Sequence, residues 1–185
     1  MFQVRGVAFL ARQAMVVADR GQPAWDEFLG RFRNADPTFP TQVYPVSLIP
    51  GEAFIRLNER LAQDLYPQEI AREHYWQVGV KSAEFAFANQ LRGLFAAGEL
   101  ARFLAFTPRV FRNYFDSGEL TAEAAGPARW DVRITGTPHH PYFEYSVMGF
   151  ASGALRLLQA AHSEPERLKQ FERGDDEVLY RFRTD

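Results

Sequence analysis

At 185 residues, 46% of them apolar and 24% charged, the chain fits one ordinary globular domain spanning 1–185. Such a domain buries roughly 70% of its unfolded surface, which excludes disordered and fibrous classes. Twenty-one basic against twenty-three acidic side chains give a net charge of −2, no electrostatic footprint for nucleic acid. Without cysteine there is no disulfide framework, thiol catalysis, Cys-ligated zinc or iron–sulfur cluster. No apolar run approaches the ~18 residues of a membrane span, and Arg5, Arg12 and Arg20 interrupt the N-terminal one. A cytoplasmic protein without membrane insertion is expected.

Val7, Leu10, Ala11, Ala14 and Val17 recur at three- and four-residue spacing, which predicts a helix over 6–19 stopped at Gly21. A second begins near Pro23 and shows Trp25, Phe28, Leu29 and Phe32 on one face, ending before Asn34. Pro37, Pro40, Pro45 and Pro50 make 33–50 an extended connection inside the domain. A third helix follows Gly51, with Phe54, Leu57, Leu61 and Leu65 inward. Pro67 is expected to start a fourth helix through Tyr75 and Trp76, interrupted at Gly79. A long, largely buried helical pattern then runs from Val80 to Phe106, and Pro108 permits one short helix over 109–115.

After the turn signal Asp116-Ser117-Gly118 the period changes to two. Leu120, Ala122 and Ala124 alternate, Gly126-Pro127 turns, and Trp130, Val132 and Ile134 alternate again, which is a β-hairpin. Residues 142–161 return to helix with Val147, Phe150, Ala154, Leu157 and Leu158 inward. Leu168 and Phe171, the turn at 173–176, and Val178, Tyr180 and Phe182 form a second hairpin. The expected class is α+β: N-terminal helices plus a long central helix, packed on a small antiparallel sheet built from two C-terminal hairpins.

No catalytic motif accompanies this pattern. His139 and His140 are adjacent, and neighbouring side chains in a turn or strand tend to point apart, so a shared metal needs a third ligand, for which Glu144 is the nearby carboxylate. Asp116, Asp131 and Glu144 are not brought to one bond by spacing. Ser82, Ser117, Ser146, Ser152 and Ser163 lack a nucleophile-elbow context, and no glycine-rich loop offers a phosphate cradle. A non-enzymatic protein without a metal site is expected. Seventeen Phe, seven Tyr and three Trp either fill the core or line an apolar ligand cavity. Gly149 and Gly153, one helical turn apart, mark a close approach, either of a neighbouring helix or of a ligand or partner chain.

The opening VRGVAFLARQAMVVADRGQPAWDEFL resembles the first two helices of haem nitric-oxide-binding domains. Over nearly the whole chain, YPVSLIPGEAFIRLNERLA, QVGVKSAEFAF, TPRVFRNYFDSGELTAEAAGPARWDVRITG and YSVMGFASGALRLL are similar to a myxobacterial paralogous family of about this length and unknown function. That family in turn resembles the fold shared by haem nitric-oxide-binding, four-vinyl-reductase and transport-particle-subunit domains. In the haem-binding relatives an axial histidine precedes the proline-containing turn, where this chain reads ELARFLAFTPRVF, and a Tyr-x-Ser-x-Arg propionate motif has no counterpart in YFEYS. The cysteines of four-vinyl-reductase relatives are also missing. The resemblance therefore implies the fold without a cofactor, haem included, leaving His74 as an improvised ligand at most.

What it implies for function is a small-ligand sensor or signalling adaptor domain with an apolar inter-helix pocket. The wall residues would be Tyr75, Trp76, Phe87, Leu91, Phe95, Phe106, Phe111, Phe150 and Leu157, and a small hydrophobic molecule the ligand. The alternative is a ligand-free interaction module that forms a homodimer or docks a protein partner through Gly149 and Gly153.

Overall fold

Apolar stripes at helical spacing build the first three helices, α1 (Gly6–Arg20), α2 (Gln22–Ala35) and α3 (Gly51–Leu65), in a computed structural model that describes residues 2–159 and 164–184. Gly21 ends α1 with φ of 86°, a conformation that costs an L-residue free energy and glycine little. The α2 face is aromatic: Trp25, Phe28 and Phe32 are buried, and Trp25 lies 5.3 Å from Phe9 of α1. Burying each such ring contributes about 1.5–3 kcal/mol. Two strands were not evident from periodicity, β1 (Gln3–Arg5) and β2 (Leu48–Pro50), which pair antiparallel with Val4 opposite Ile49. At three residues each they are too short to show a period of two.

The central region departs from expectation. Helix α4 (Ala71–Ala88) starts four residues after Pro67 and passes through Gly79 without a break. It then ends, and turns at 89–99 separate it from α5 (Leu100–Arg112), so the continuous helix to Phe106 does not exist. Helix α5 in turn continues through Pro108. Proline cannot donate to the carbonyl of residue i−4, here Leu104, and the Thr107 hydroxyl donates to that oxygen instead at 2.7 Å.

The two hairpins pair as expected into one sheet. Strands β3 (Glu119–Gly126), β4 (Arg129–Thr135), β5 (Glu166–Lys169) and β6 (Val178–Arg183) lie in the order β3-β4-β6-β5, all neighbours antiparallel. The register sets Leu120 opposite Ile134 and Val132 opposite Tyr180, all on the buried side. Between the hairpins runs α6 (Pro141–Leu157), apolar almost all round and buried along most of its length. The helix ends at Leu157 and residues 158–159 turn, short of the expected extension to Ala161, which itself lies outside the described residues. The class is α+β, with six α-helices and two antiparallel sheets among the described residues, and none of those helices is long and apolar enough to cross a membrane.

Helices α4 and α6 cross in close contact because glycine lines the crossing on both. A Cβ at Gly79 would overlap the Ser146 carbonyl oxygen, one at Gly149 would overlap the Trp76 carbonyl oxygen, and one at Gly153 would sit 3.0 Å from the Val80 Cα. Gly79 is therefore the position that lets α6 approach, not a helix stop. Gly149 and Gly153 serve this internal contact, so their expected role as an intermolecular interface is corrected.

Candidate functional site

The other side of α6 is less filled. Where it meets α5, the sheet and the inner face of α1, the protein interior holds a cavity of about 60 Å3. Leu104 and Phe111 of α5, Leu120 and Val132 of the sheet, and Phe150 and Ala151 of α6 make its apolar wall. One end is polar. Arg12, on the same face of α1 as Ala8 and Val16, enters this wall and is 2% exposed.

The guanidinium is held by neutral oxygens. Its Nε donates to Asn58 Oδ1 at 3.1 Å, Nη1 to the Val78 carbonyl at 3.2 Å and to Ser82 Oγ at 2.6 Å, and Nη2 to the Tyr142 hydroxyl at 2.9 Å. Asn58 is itself fixed by donating to the Phe54 carbonyl, and Ser82 by donating to that of Val78. No carboxylate among the described residues forms an ion pair with Arg12. Arginine stays charged at any accessible pH, so a full positive charge sits in the interior balanced only by dipoles.

Tyr114, at the C-terminal end of α5, lines the same cavity. Its buried hydroxyl has no hydrogen-bond partner. Burial pushes its pKa up to about 12, opposed by the Arg12 charge and by a Gln90 side chain that comes close without meeting hydrogen-bond geometry. At neutral pH it is a phenol with a proton to donate.

Only two of the nine expected wall residues, Phe111 and Phe150, share this cavity. Tyr75 packs edge-on against Tyr142 at 5.6 Å. Trp76 borders an open cleft between α4 and the β5 side. Phe87, partly buried, packs at a tilt against Phe95 and Phe103 at the edge of the core. Leu91, Phe95 and Phe106 border a surface groove, where Arg102 and Arg109 lie over the rings of Phe95 and Phe106. Leu157, expected inward, is 42% exposed. Helical spacing identified apolar faces but did not say which of them meet at one space. The residues it missed are Arg12, Tyr114 and Tyr142. Arg12 carried a readable signal, a charge at i+4 from Ala8 and i−4 from Val16 within an apolar stripe.

The remaining chemistry-bearing residues are dispersed. His139 stacks on Phe171 at 4.7 Å, while His140 Nδ1 accepts from the Tyr142 amide and its Nε2 lies 3.2 Å from Glu59. Asp131 forms a two-toothed pair with Arg181, which holds its carboxyl below the ordinary range. Asp116 accepts from the Gln3 amide. Glu144 is fully buried and accepts from the Tyr180 hydroxyl (2.6 Å), the Gln170 side chain and the Phe171 amide (3.0 Å each). His74 is buried with Nδ1 2.8 Å from Glu69. A carboxylate only accepts, so this nitrogen carries the proton and the unpartnered Nε2 holds a lone pair. Burial keeps the His74 pKa below its usual value against the pull of Glu69.

A family described as "Protein of unknown function (DUF2378)" matches residues 30–183. No curated protein is detectably similar in sequence. Among solved structures, a triple mutant of an H-NOX protein from S. oneidensis in the Fe(II) ligation state superposes with a TM-score of 0.76 at 16% identity, covering 98% of this chain and 96% of that one. The NMR structure of an H-NOX domain from Shewanella oneidensis in the Fe(II)CO state gives 0.77 at 14%, over 98% of each chain. An oxygen-binding H-NOX domain related to soluble guanylate cyclases gives 0.71 at 16%, over 98% of this chain and 95% of that one. The fold is that of H-NOX domains.

These neighbours correct the expectation of a fold without a cofactor. Two of them are described in iron ligation states, and two further H-NOX or haem structures in terms of haem or porphyrin distortion, so missing motif residues do not separate the scaffold from haem. The cavity as it stands does not fit that group. About 60 Å3 is the share of about two water molecules, no described histidine lines it, and α5 presents Leu104, Thr107, Val110 and Phe111 to it.

Proposed function

The chain belongs to the DUF2378 family and has the fold of H-NOX domains, and from this premise we propose that it is a non-enzymatic sensor domain for a small ligand. The observation that supports the reading is the interior cavity between α5, α6 and the sheet, apolar in its walls and polar at the Arg12 end. Such a site takes a ligand by burying its apolar part and orienting its polar part. The dispersal of Asp116, Asp131, Glu144, His139 and His140 among separate partners supports a binding role over a catalytic one.

Occupancy has a physical route outward. The Tyr114 carbonyl accepts from the Arg5 amide at 2.8 Å, and the Asp116 amide donates to the Gln3 carbonyl at 3.2 Å. A shift of this cavity wall is thus carried to β1 and the neighbouring surface, where a signalling partner would read it.

Native mass spectrometry of freshly purified protein beside a denatured control tests the reading, with an absorbance scan of the same sample. The expected result is added mass that denaturation removes. Unchanged mass in both samples, with no thermal stabilisation by any member of a small-molecule panel, overturns it.

A further inference from the structure

The cavity is unusual in the balance of its polar groups. Four of the five Arg12 N–H groups are spent on neutral oxygens, and the fifth, on Nη2, has no partner among the described residues. The Tyr114 hydroxyl is buried with no acceptor in hydrogen-bond geometry, the Gln90 side chain lying close by. The Tyr142 hydroxyl accepts from Arg12 and has no acceptor for its own proton among the described residues. Three donors without an acceptor of their own therefore border one space, whose other polar groups are the Ser82, Thr107 and Ser146 hydroxyls, beside a charge without a counter-ion. A buried charge is costly unless paired and hydrogen-bonded, and a buried donor without an acceptor carries its own desolvation penalty. Histidine does not relieve the imbalance. The Arg12 charge itself acts against protonation of His74.

We propose that the cavity binds a small carboxylate, with its oxygens between Arg12 and Tyr114 and its carbon end against Phe111 and Phe150. The proposal rests on the sensor reading and gives it a ligand class. A monoanion supplies acceptors only, which matches an end where three donors lack one, and it cancels the interior charge. The volume limits the ligand to about two to four non-hydrogen atoms, the size of formate or acetate. The apolar remainder of the wall favours a carboxylate with a methyl group over a fully hydrated inorganic anion.

The test is titration of the full chain with formate, acetate, propionate, butyrate, acetamide and chloride at constant ionic strength, read by thermal denaturation and calorimetry. Saturable stabilisation by acetate, weaker stabilisation by butyrate and none by acetamide or chloride is expected. Removing Arg12 endangers the fold, so the deciding variant is Tyr114→Phe. It deletes an unsatisfied hydroxyl, so the unligated protein should melt at the same temperature or higher while acetate binds about tenfold more weakly. Equal responses to acetate and acetamide, no saturable response, or an unchanged acetate affinity in Tyr114→Phe overturns the proposal and leaves the polar end to ordered water. Added mass in the native spectrum together with no acetate response would retain the sensor and remove its ligand class.

Discussion

Helix α6 has two faces built on opposite rules. Toward α4 it presents Gly149 and Gly153 against the backbone at Trp76 and Val80, with Gly79 returning the contact, so two main chains touch without side chains between them. Toward α5 and the sheet it presents Ser146, Val147, Phe150 and Ala151 around unfilled space. Protein interiors are close-packed, and voids larger than a water molecule are few. A helix clamped on one side and left loose on the other is a means of holding a cavity open: the glycine contact fixes the axis, so the opposite side cannot collapse by moving the helix.

The largest effect should come from the clamped face. In Gly149→Ala the new Cβ overlaps the Trp76 carbonyl oxygen, and neither backbone can yield without separating the helices. A loss of about 3 kcal/mol or more is expected, read as a fall in the urea midpoint at unchanged m-value. A loss below about 1 kcal/mol would show that the two helices slide freely, and the contrast between the faces would fail.

The second effect concerns how α6 is pinned to the sheet. Glu144 accepts three hydrogen bonds from Tyr180, Gln170 and the Phe171 amide, and it is fully buried. Glu144→Gln keeps the shape but turns one oxygen into a donor that faces donors, so at least one bond is lost. About 2 kcal/mol of destabilisation is expected by the same denaturation measurement. No change would mean that the three donors find other acceptors and that the pin is dispensable.

The contrast also explains what the sequence made legible. Helices α1 to α3 and both hairpins follow from local periodicity, because each buries a single face and its residues repeat at 3.6 or 2.0. The errors gathered where a local breaker was overruled by tertiary contact. Gly79 looked like a stop because its intrinsic helix propensity is poor, yet its purpose is the approach of α6. Pro108 looked like a boundary because it lacks an N–H, yet Thr107 satisfies the freed carbonyl. The site failed for a related reason. Phe87, Leu91 and Phe95 recur at helical spacing and Phe106 and Phe111 lie on the next apolar stretch, but only the packing of α5 against α6 and the sheet decides which rings reach the cavity. Arg12 served only to break an apolar run, although its spacing from Ala8 and Val16 already placed the charge on a buried face.

The smallest effect should come from the loose face, and it sharpens the comparison most. Ala151 lies two positions from Gly149 on the same helix and borders the cavity. Ala151→Val adds two methyl groups toward about 60 Å3 of space. Filling that volume regains on the order of 1 kcal/mol, while β-branching in a helix returns about half of it. Stability within about 1 kcal/mol of the parent is expected, together with a loss of acetate stabilisation because the space is occupied. If Ala151→Val instead unfolds the protein as Gly149→Ala should, both faces of α6 are packed to the same tightness. If it is neutral and acetate still binds, the ligand sits elsewhere, and the cavity is a packing defect beside a buried arginine.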